Sequence, residues 1–256
     1  MYFILFGRAF SGYWLSAGIG LVFAILLALL RRRAIRFHTS FEDVLYTLLL
    51  GLAGGVIGAK TFQLIGYIVR DGTNPGFWTL ENWIQLIPGV GVLYGGLIGG
   101  LIAALIFIRK CKLDFFDVSD ILVPPLLLFF TFGRVGCFLG GCCHGRETDL
   151  GIAIYGMIPV QLFEAGFTLL FMIALLVIRP ERKLPGILLP LYLMVYAVGR
   201  FVLEFFRGDM GRGVFLLSTS QWISRLVLPA GILLLWWTRK QNFQNALNLQ
   251  EPSDVI

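Results

Sequence analysis

The sequence predicts an all-α integral membrane protein, a bundle of seven transmembrane helices with its amino terminus outside and its carboxyl terminus cytoplasmic. Three observations predict it. The chain is 57% hydrophobic and only 14% charged, against about 25% charged for a soluble domain. Residues 9–30, 82–108, 165–178 and 184–199 hold no Asp, Glu, Lys or Arg, and about 20 apolar residues span the hydrocarbon core as a helix. Basic residues cluster after alternate apolar segments, which sets orientation because cytoplasmic loops carry the Lys/Arg excess.

Taken in order, the predicted spans are 12–30, 44–69, 89–108, 118–139, 159–178, 186–206 and 218–238. Arg31, Arg32, Arg33 and Arg36 follow the first, and Arg109, Lys110 and Lys112 the third. Arg179, Arg182 and Lys183 follow the fifth, and Arg239 and Lys240 the seventh. All four clusters agree on one orientation. The amino terminus lacks the basic region of a cleavable signal, so the first segment reads as a retained anchor. Trp78 and Trp83, in the connection 70–88, suit the membrane interface. Residues 1–240 read as a single transmembrane domain, and 241–256 as a polar, weakly ordered cytoplasmic tail. The net charge of +6 is accounted for by helix ends, which argues against a nucleic-acid partner.

Six ionisable residues fall inside predicted spans: Lys60, Arg134, Glu164, Arg200, Glu204 and Arg207. Each costs at least about 2.5–3.5 kcal/mol at the bilayer centre. With the orientation above, all six lie in the outer half, which marks a site. The spacing i, i+4, i+7 predicts Arg200, Glu204 and Arg207 on one helix face. The excess of arginine suits an anion, since guanidinium binds phosphate bidentately. At this depth the obvious phosphate is a phospholipid headgroup; an anion pathway or a purely structural core fits the same residues.

The outer end of the fourth span reads Phe132-Gly133-Arg134-Val135-Gly136-Cys137-Phe138-Leu139-Gly140-Gly141-Cys142-Cys143-His144-Gly145-Arg146. Its glycines let backbone leave the helix and approach a ligand. Three of the four cysteines lie within seven residues, too local for a disulfide scaffold; the fourth is Cys111. Cys142, Cys143 and His144 offer a thiolate and a base. A Cys137–Cys142 disulfide or small-residue packing fits the same spacing. Zinc is disfavoured, because Cys-Cys-His lacks the usual ligand spacing and a second half-site. No metal and no cofactor are therefore expected. His144 is the one histidine on the predicted outer side; His38 lies in a cytoplasmic basic loop. Tyr94 opens the small-residue run Gly95-Gly96-Leu97-Ile98-Gly99-Gly100 and is expected to offer its hydroxyl to a headgroup.

These segments, in this order, resemble the prolipoprotein diacylglyceryl transferase family. The run after Tyr94 resembles its His-Gly-Gly-Leu-Ile-Gly segment. Val118-Ser119-Asp120, Pro124 and Gly133-Arg134-Val135-Gly136 are similar to the approach to its signature. Pro159-Val160-Gln161-Leu162-Phe163-Glu164 is similar to Pro-Ser-Gln-Leu-Tyr-Glu. Tyr196 to Arg207 is similar to Tyr-Gly-x-x-Arg-Phe-x-x-Glu-Phe-x-Arg, and Gln221-Trp222 to a Gln of the last helix. The resemblance runs from about Tyr13 to Arg225.

It implies a seven-helix inner-membrane enzyme that uses phosphatidylglycerol. The diacylglyceryl group passes to the lipobox cysteine of a prolipoprotein signal peptide on the outer face, and glycerol-1-phosphate leaves. Arg134 and Arg200 would then hold the phosphate. Tyr13, Lys60, Arg146, Glu164, Tyr196, Glu204 and Arg207 would line the site, with Tyr94, Cys137 and Gly145 beside them. Three positions depart from the pattern: Tyr94 stands for a His, Cys137 for an Asn and Cys142 for a Glu. His144 and Cys142 are the catalytic candidates that remain. The departures leave room for a non-lipoprotein acceptor, and the arginines by themselves for lipid binding without chemistry.

Overall fold

The computed structural model describes residues 2–5, 8–34, 39–71, 93–149, 151, 153–208, 213–214 and 217–248. Among these residues it is all-helical apart from two short hairpins. The order is β1 (Tyr2–Leu5), β2 (Arg8–Ser11), α1 (Gly12–Ala34), α2 (Phe41–Asp71), α3 (Leu93–Lys110), α4 (Phe115–Leu139) and α5 (Val160–Ile178). Then come α6 (Leu188–Leu203), β3 (Gly213–Val214), β4 (Leu217–Ser218) and α7 (Thr219–Asn248). Each strand pair is antiparallel, with Tyr2 opposite Ser11 and Gly213 opposite Ser218.

Five of the seven helices among the described residues, α1, α2, α4, α5 and α6, are long and apolar enough to cross a membrane. Their outward faces carry large apolar side chains, such as Val56, Ile57, Leu170 and Val177. Lipid rather than water satisfies such faces, and a helix satisfies its own backbone.

The chain divides into two compact units, Met1–Phe37 with Phe116–Ile256, and His38–Phe115. The smaller is the α2–α3 pair, whose backbones touch through glycine. A Cβ on Gly99 would strike the Gly54 carbonyl and sit 2.9 Å from Gly58 Cα. One on Gly54 would lie 2.5 Å from Ala103 Cβ. Without a hydrophobic drive between helices in lipid, this closeness supplies the packing energy.

The larger unit has its apolar core in Val123, Leu127, Met172, Leu175, Ile187 and Leu188, from α4, α5 and the start of α6. At that end Asp120 is fully buried. Its carboxylate accepts from the amides of Gly186 (2.5 Å) and Leu188 (2.9 Å). It thereby satisfies donors that every helix start leaves open. Arg31 donates to the Asp120 carbonyl at 2.8 Å and pairs with buried Glu181 at 3.1 Å. Gly186 has φ +81°, and a Cβ there would meet the Phe116 ring at 2.8–2.9 Å.

Two sequence expectations change. The α-helix α6 stops at Leu203; Glu204–Phe206 form a 3₁₀ turn and Arg207 is extended, with φ −77° and ψ 143°. Arg200, Glu204 and Arg207 thus do not share an α-helical face. The last helix does not end near residue 238 but continues to Asn248. Asn242 fastens that extension by donating to the Pro185 and Thr238 carbonyls, both at 3.0 Å.

In the α2–α3 pair, Gly99→Ala is expected to lower the melting temperature in detergent, because the backbones must separate. Gly66→Ala, where a Cβ meets nothing within 4 Å, leaves it unchanged. Equal melting temperatures for the two variants would show that glycine contact does not hold the pair.

Candidate functional site

Two helices deliver charge to a carboxylate on a third. Glu164, in the second turn of α5, is 2% exposed. Arg134 from α4 reaches Oε1 at 3.0 Å, and Arg200 from α6 stands 3.6 Å from Oε2. Tyr196, one turn before Arg200, donates its hydroxyl to Oε1 at 3.3 Å and stacks on Tyr192 at 5.6 Å. Arg200 also pairs with Glu204 at 2.8 Å and donates to Ser220 at 3.1 Å. Arg207 lies 3.8 Å from the same Glu204 oxygen. The arginine side chains are only 5–14% exposed.

Two consequences follow from the charges. Among the described residues, the ion pairs set three guanidiniums against two carboxylates, one formal positive charge in excess. Among the described residues, buried Arg200 Nη1 and Glu164 Oε2 find no hydrogen-bond partner, their 3.6 Å separation being too long for a bond between them. The open guanidinium N–H and the excess positive charge are features that an anion can meet; the Glu164 Oε2 acceptor is not.

The turn after α4 follows from its glycines. The Cys142 amide bonds to the Cys137 carbonyl (3.0 Å) and the Gly141 amide to that of Phe138 (3.2 Å), with Gly141 at φ +71°. This is a Schellman cap, which brings its flanking side chains together. Here those side chains are Cys137 and Cys142. Cys143, at φ +62°, turns back towards the same side. The three sulfurs lie within 4.8 Å of one another, and all four cysteines of the chain are free thiols. The Cys143 thiol is drawn down, first by its hydrogen bond with Cys137 and then by the Arg207 guanidinium; burial opposes this. Burial pushes the Cys142 thiol up.

Beyond the turn, the chain is tied to the end of α6. Gly145 bridges Arg207; the Arg146 amide bonds to the Phe206 carbonyl at 3.0 Å, and the Arg146 guanidinium donates to the Arg207 carbonyl at 3.3 Å. A Cβ on Gly145 would lie 2.5 Å from the Ile158 carbonyl. Gly145 and Arg146 therefore hold Arg207 against the cluster. Tyr13, half-buried, packs on the glycine face of α4, with its carbonyl 3.1 Å from where a Gly136 Cβ would be.

The remaining candidates are placed differently. His144 Nε2 lies 2.6 Å from the Gly141 carbonyl, which only accepts, so this nitrogen carries the proton. Nδ1 accepts from Gln161 at 3.3 Å, so both ring nitrogens have partners. Gln161 also donates to the Cys142 carbonyl at 2.6 Å. Lys60 lies in the other unit and bonds to Gln63 at 3.3 Å. The Tyr94 side chain lies outside the described residues. Gln161 and Ser220 were not picked out by sequence reasoning; an uncharged polar residue near a span boundary carries no signal by itself.

Removing Glu164 takes the counter-ion from buried Arg134 and leaves Arg200 with Glu204 alone. Glu164→Leu is expected to destabilise the protein by about 3–5 kcal/mol, whereas Ser220→Ala costs about 1 kcal/mol. Denaturation in mixed micelles measures both, and a Glu164→Leu protein as stable as the parent would refute the shared counter-ion.

The geometry can be set beside known proteins. A model of the family described as prolipoprotein diacylglyceryl transferase matches residues 3–237. The chain is similar to a phosphatidylglycerol–prolipoprotein diacylglyceryl transferase of Clostridium tetani, at 31% identity over 246 residues, 91% of this chain and 94% of the relative. A second so named from Clostridium perfringens is 33% identical over 249 residues, covering 90% and 91%. The one from Chlorobaculum tepidum is 34% identical over 263 residues, covering 91% and 88%. With a match over nearly its whole length and relatives above 30% identity along most of both chains, the chain belongs to the prolipoprotein diacylglyceryl transferase family.

Proposed function

We propose that this chain transfers the diacylglyceryl group of phosphatidylglycerol to the lipobox cysteine thiol of a prolipoprotein signal peptide. Glycerol-1-phosphate is the leaving product. The observation that carries the reading is the convergence of Arg134 and Arg200 on Glu164, with one positive charge in excess and a buried guanidinium nitrogen unbonded. A phosphodiester carries the single negative charge that this cluster lacks. As the ester C–O bond breaks, the phosphate gains a second charge, and guanidiniums already aimed at it lower the barrier without reorganising. Glu164 and Tyr196 hold the two arginines at the required spacing. Family membership supplies the donor and acceptor classes, through relatives whose names carry both.

Arg134→Ala and Arg200→Ala are each expected to lower kcat/KM by about 10²–10³-fold, with labelled phosphatidylglycerol and a lipobox peptide as substrates. Near-parental turnover in both variants would overturn the phosphate clamp. Lipid consumption without peptide labelling would redirect the reading to another acceptor. In this scheme His144 positions the turn through Gly141 and Gln161 rather than acting as the base.

The active site is proposed to face the outer side of the bacterial inner membrane, within seven spans over residues 1–240. The four basic clusters support this. A reporter fused after Lys240 should register in the cytoplasm, and a label at Pro75 should be reached from outside. The opposite result at both positions would reverse the site's orientation.

A further inference from the structure

We propose that Cys137, Cys142 and Cys143 form a three-thiolate zinc site whose open fourth position takes the acceptor thiol. The proposal rests on the transferase reading above for the identity of that thiol, and on the structure for the site itself.

Sequence spacing argues against a metal, because Cys-Cys-His lacks the usual ligand spacing and a second half-site. The fold removes that objection. The Schellman cap places Cys142 back over Cys137. The left-handed backbone at Cys143 then turns its sulfur towards the other two. A non-glycine residue in that conformation costs about 1–3 kcal/mol, so the turn is held against a local preference. All three sulfurs lie within 4.8 Å of one another. Thiolates bound to zinc at about 2.3 Å stand about 3.8 Å apart in a tetrahedron. Small side-chain rotations close the difference.

Three thiolates are a soft donor set that selects zinc or copper(I) over magnesium or calcium. Three protein ligands leave a fourth position for substrate, as catalytic zinc requires. The site is close to the phosphate cluster. Cys137 follows Arg134 by three residues on the same helix, and Cys143 hydrogen-bonds the Arg207 guanidinium. Zinc with three thiolates would carry one negative charge, beside the Arg207 guanidinium.

The chemistry answers a question the clamp leaves open. Thiol alkylation needs a thiolate, and both nitrogens of His144 are already engaged. Zinc deprotonates a coordinating thiol outright. The acceptor thiol binds zinc and releases its proton to water. Its sulfur attacks the glyceryl carbon; the C–S bond forms as the C–O bond to phosphate breaks. The bonding pair leaves with the phosphate oxygen as glycerol phosphate, which is protonated from water. Zinc stays divalent, and no oxidant or reductant takes part.

The test uses the full chain in detergent, kept reduced with a phosphine, stripped by a chelator and titrated with zinc or cobalt(II). About one zinc per chain is expected, and cobalt should show thiolate charge-transfer and tetrahedral bands. Cys137→Ser, Cys142→Ser and Cys143→Ser should each weaken zinc binding by at least about 100-fold. Cys111→Ser should leave it unchanged. A lipobox cysteine peptide should shift the cobalt spectrum, and its serine analogue should not. Binding of less than about a tenth of an equivalent, or equal binding by all four variants, overturns the site. Transfer that proceeds undiminished in zinc-free protein overturns the role of the ion and leaves the transferase reading standing. Zinc bound with a peptide-dependent shift but no transfer overturns the transferase reading and leaves the metal site standing.

Discussion

A guanidinium buried in an apolar bundle must find its counter-charge inside the protein. Glu164 meets this demand for two arginines at once. Because Arg134, Glu164 and Arg200 come from α4, α5 and α6, the carboxylate fixes the spacing of three helices. Displacing any one of them would leave a charge alone in low dielectric, where the penalty is several kcal/mol per ion. The packing at this end is therefore set by charge pairing. At the Asp120 end, by contrast, a single carboxylate closes the start of α6 beneath an apolar core.

The same constraint explains why the cluster is not self-sufficient. Pairing is arranged so that three cations share two anions and leave Arg200 Nη1 without a hydrogen bond. A purely structural network would be expected to satisfy every buried donor. An incompletely satisfied one is costly unless a ligand completes it.

The turn after α4 links this cluster to the thiols. Glycines at 140, 141 and 145 let the chain cap the helix, reverse and run against the end of α6. Gly145 has no room for a side chain between Ile158 and Val160, and Gly208 none beside Gly145. Backbone approach of this kind holds Arg207 and the cysteines on one scaffold.

Hydropathy and charge runs were enough to place the helices of an apolar bundle among the described residues to within a few residues, the end of α7 apart, because an apolar span needs about 20 residues and the cost of burying charge restricts Lys and Arg to the ends. The same cost singled out Arg134, Glu164, Arg200 and Glu204 before any contact was known. Helical periodicity failed at Arg207, since nothing local announces the 3₁₀ turn at Glu204–Phe206. Polarity also misjudged residues 241–248, where one tertiary contact from Asn242 to Pro185 supports the helix. Only the tertiary structure decided that two arginines share one carboxylate, that His144 has both nitrogens engaged, and that three cysteines meet. Each of these depends on distances between segments far apart in sequence or on a left-handed backbone turn, and a linear pattern encodes neither.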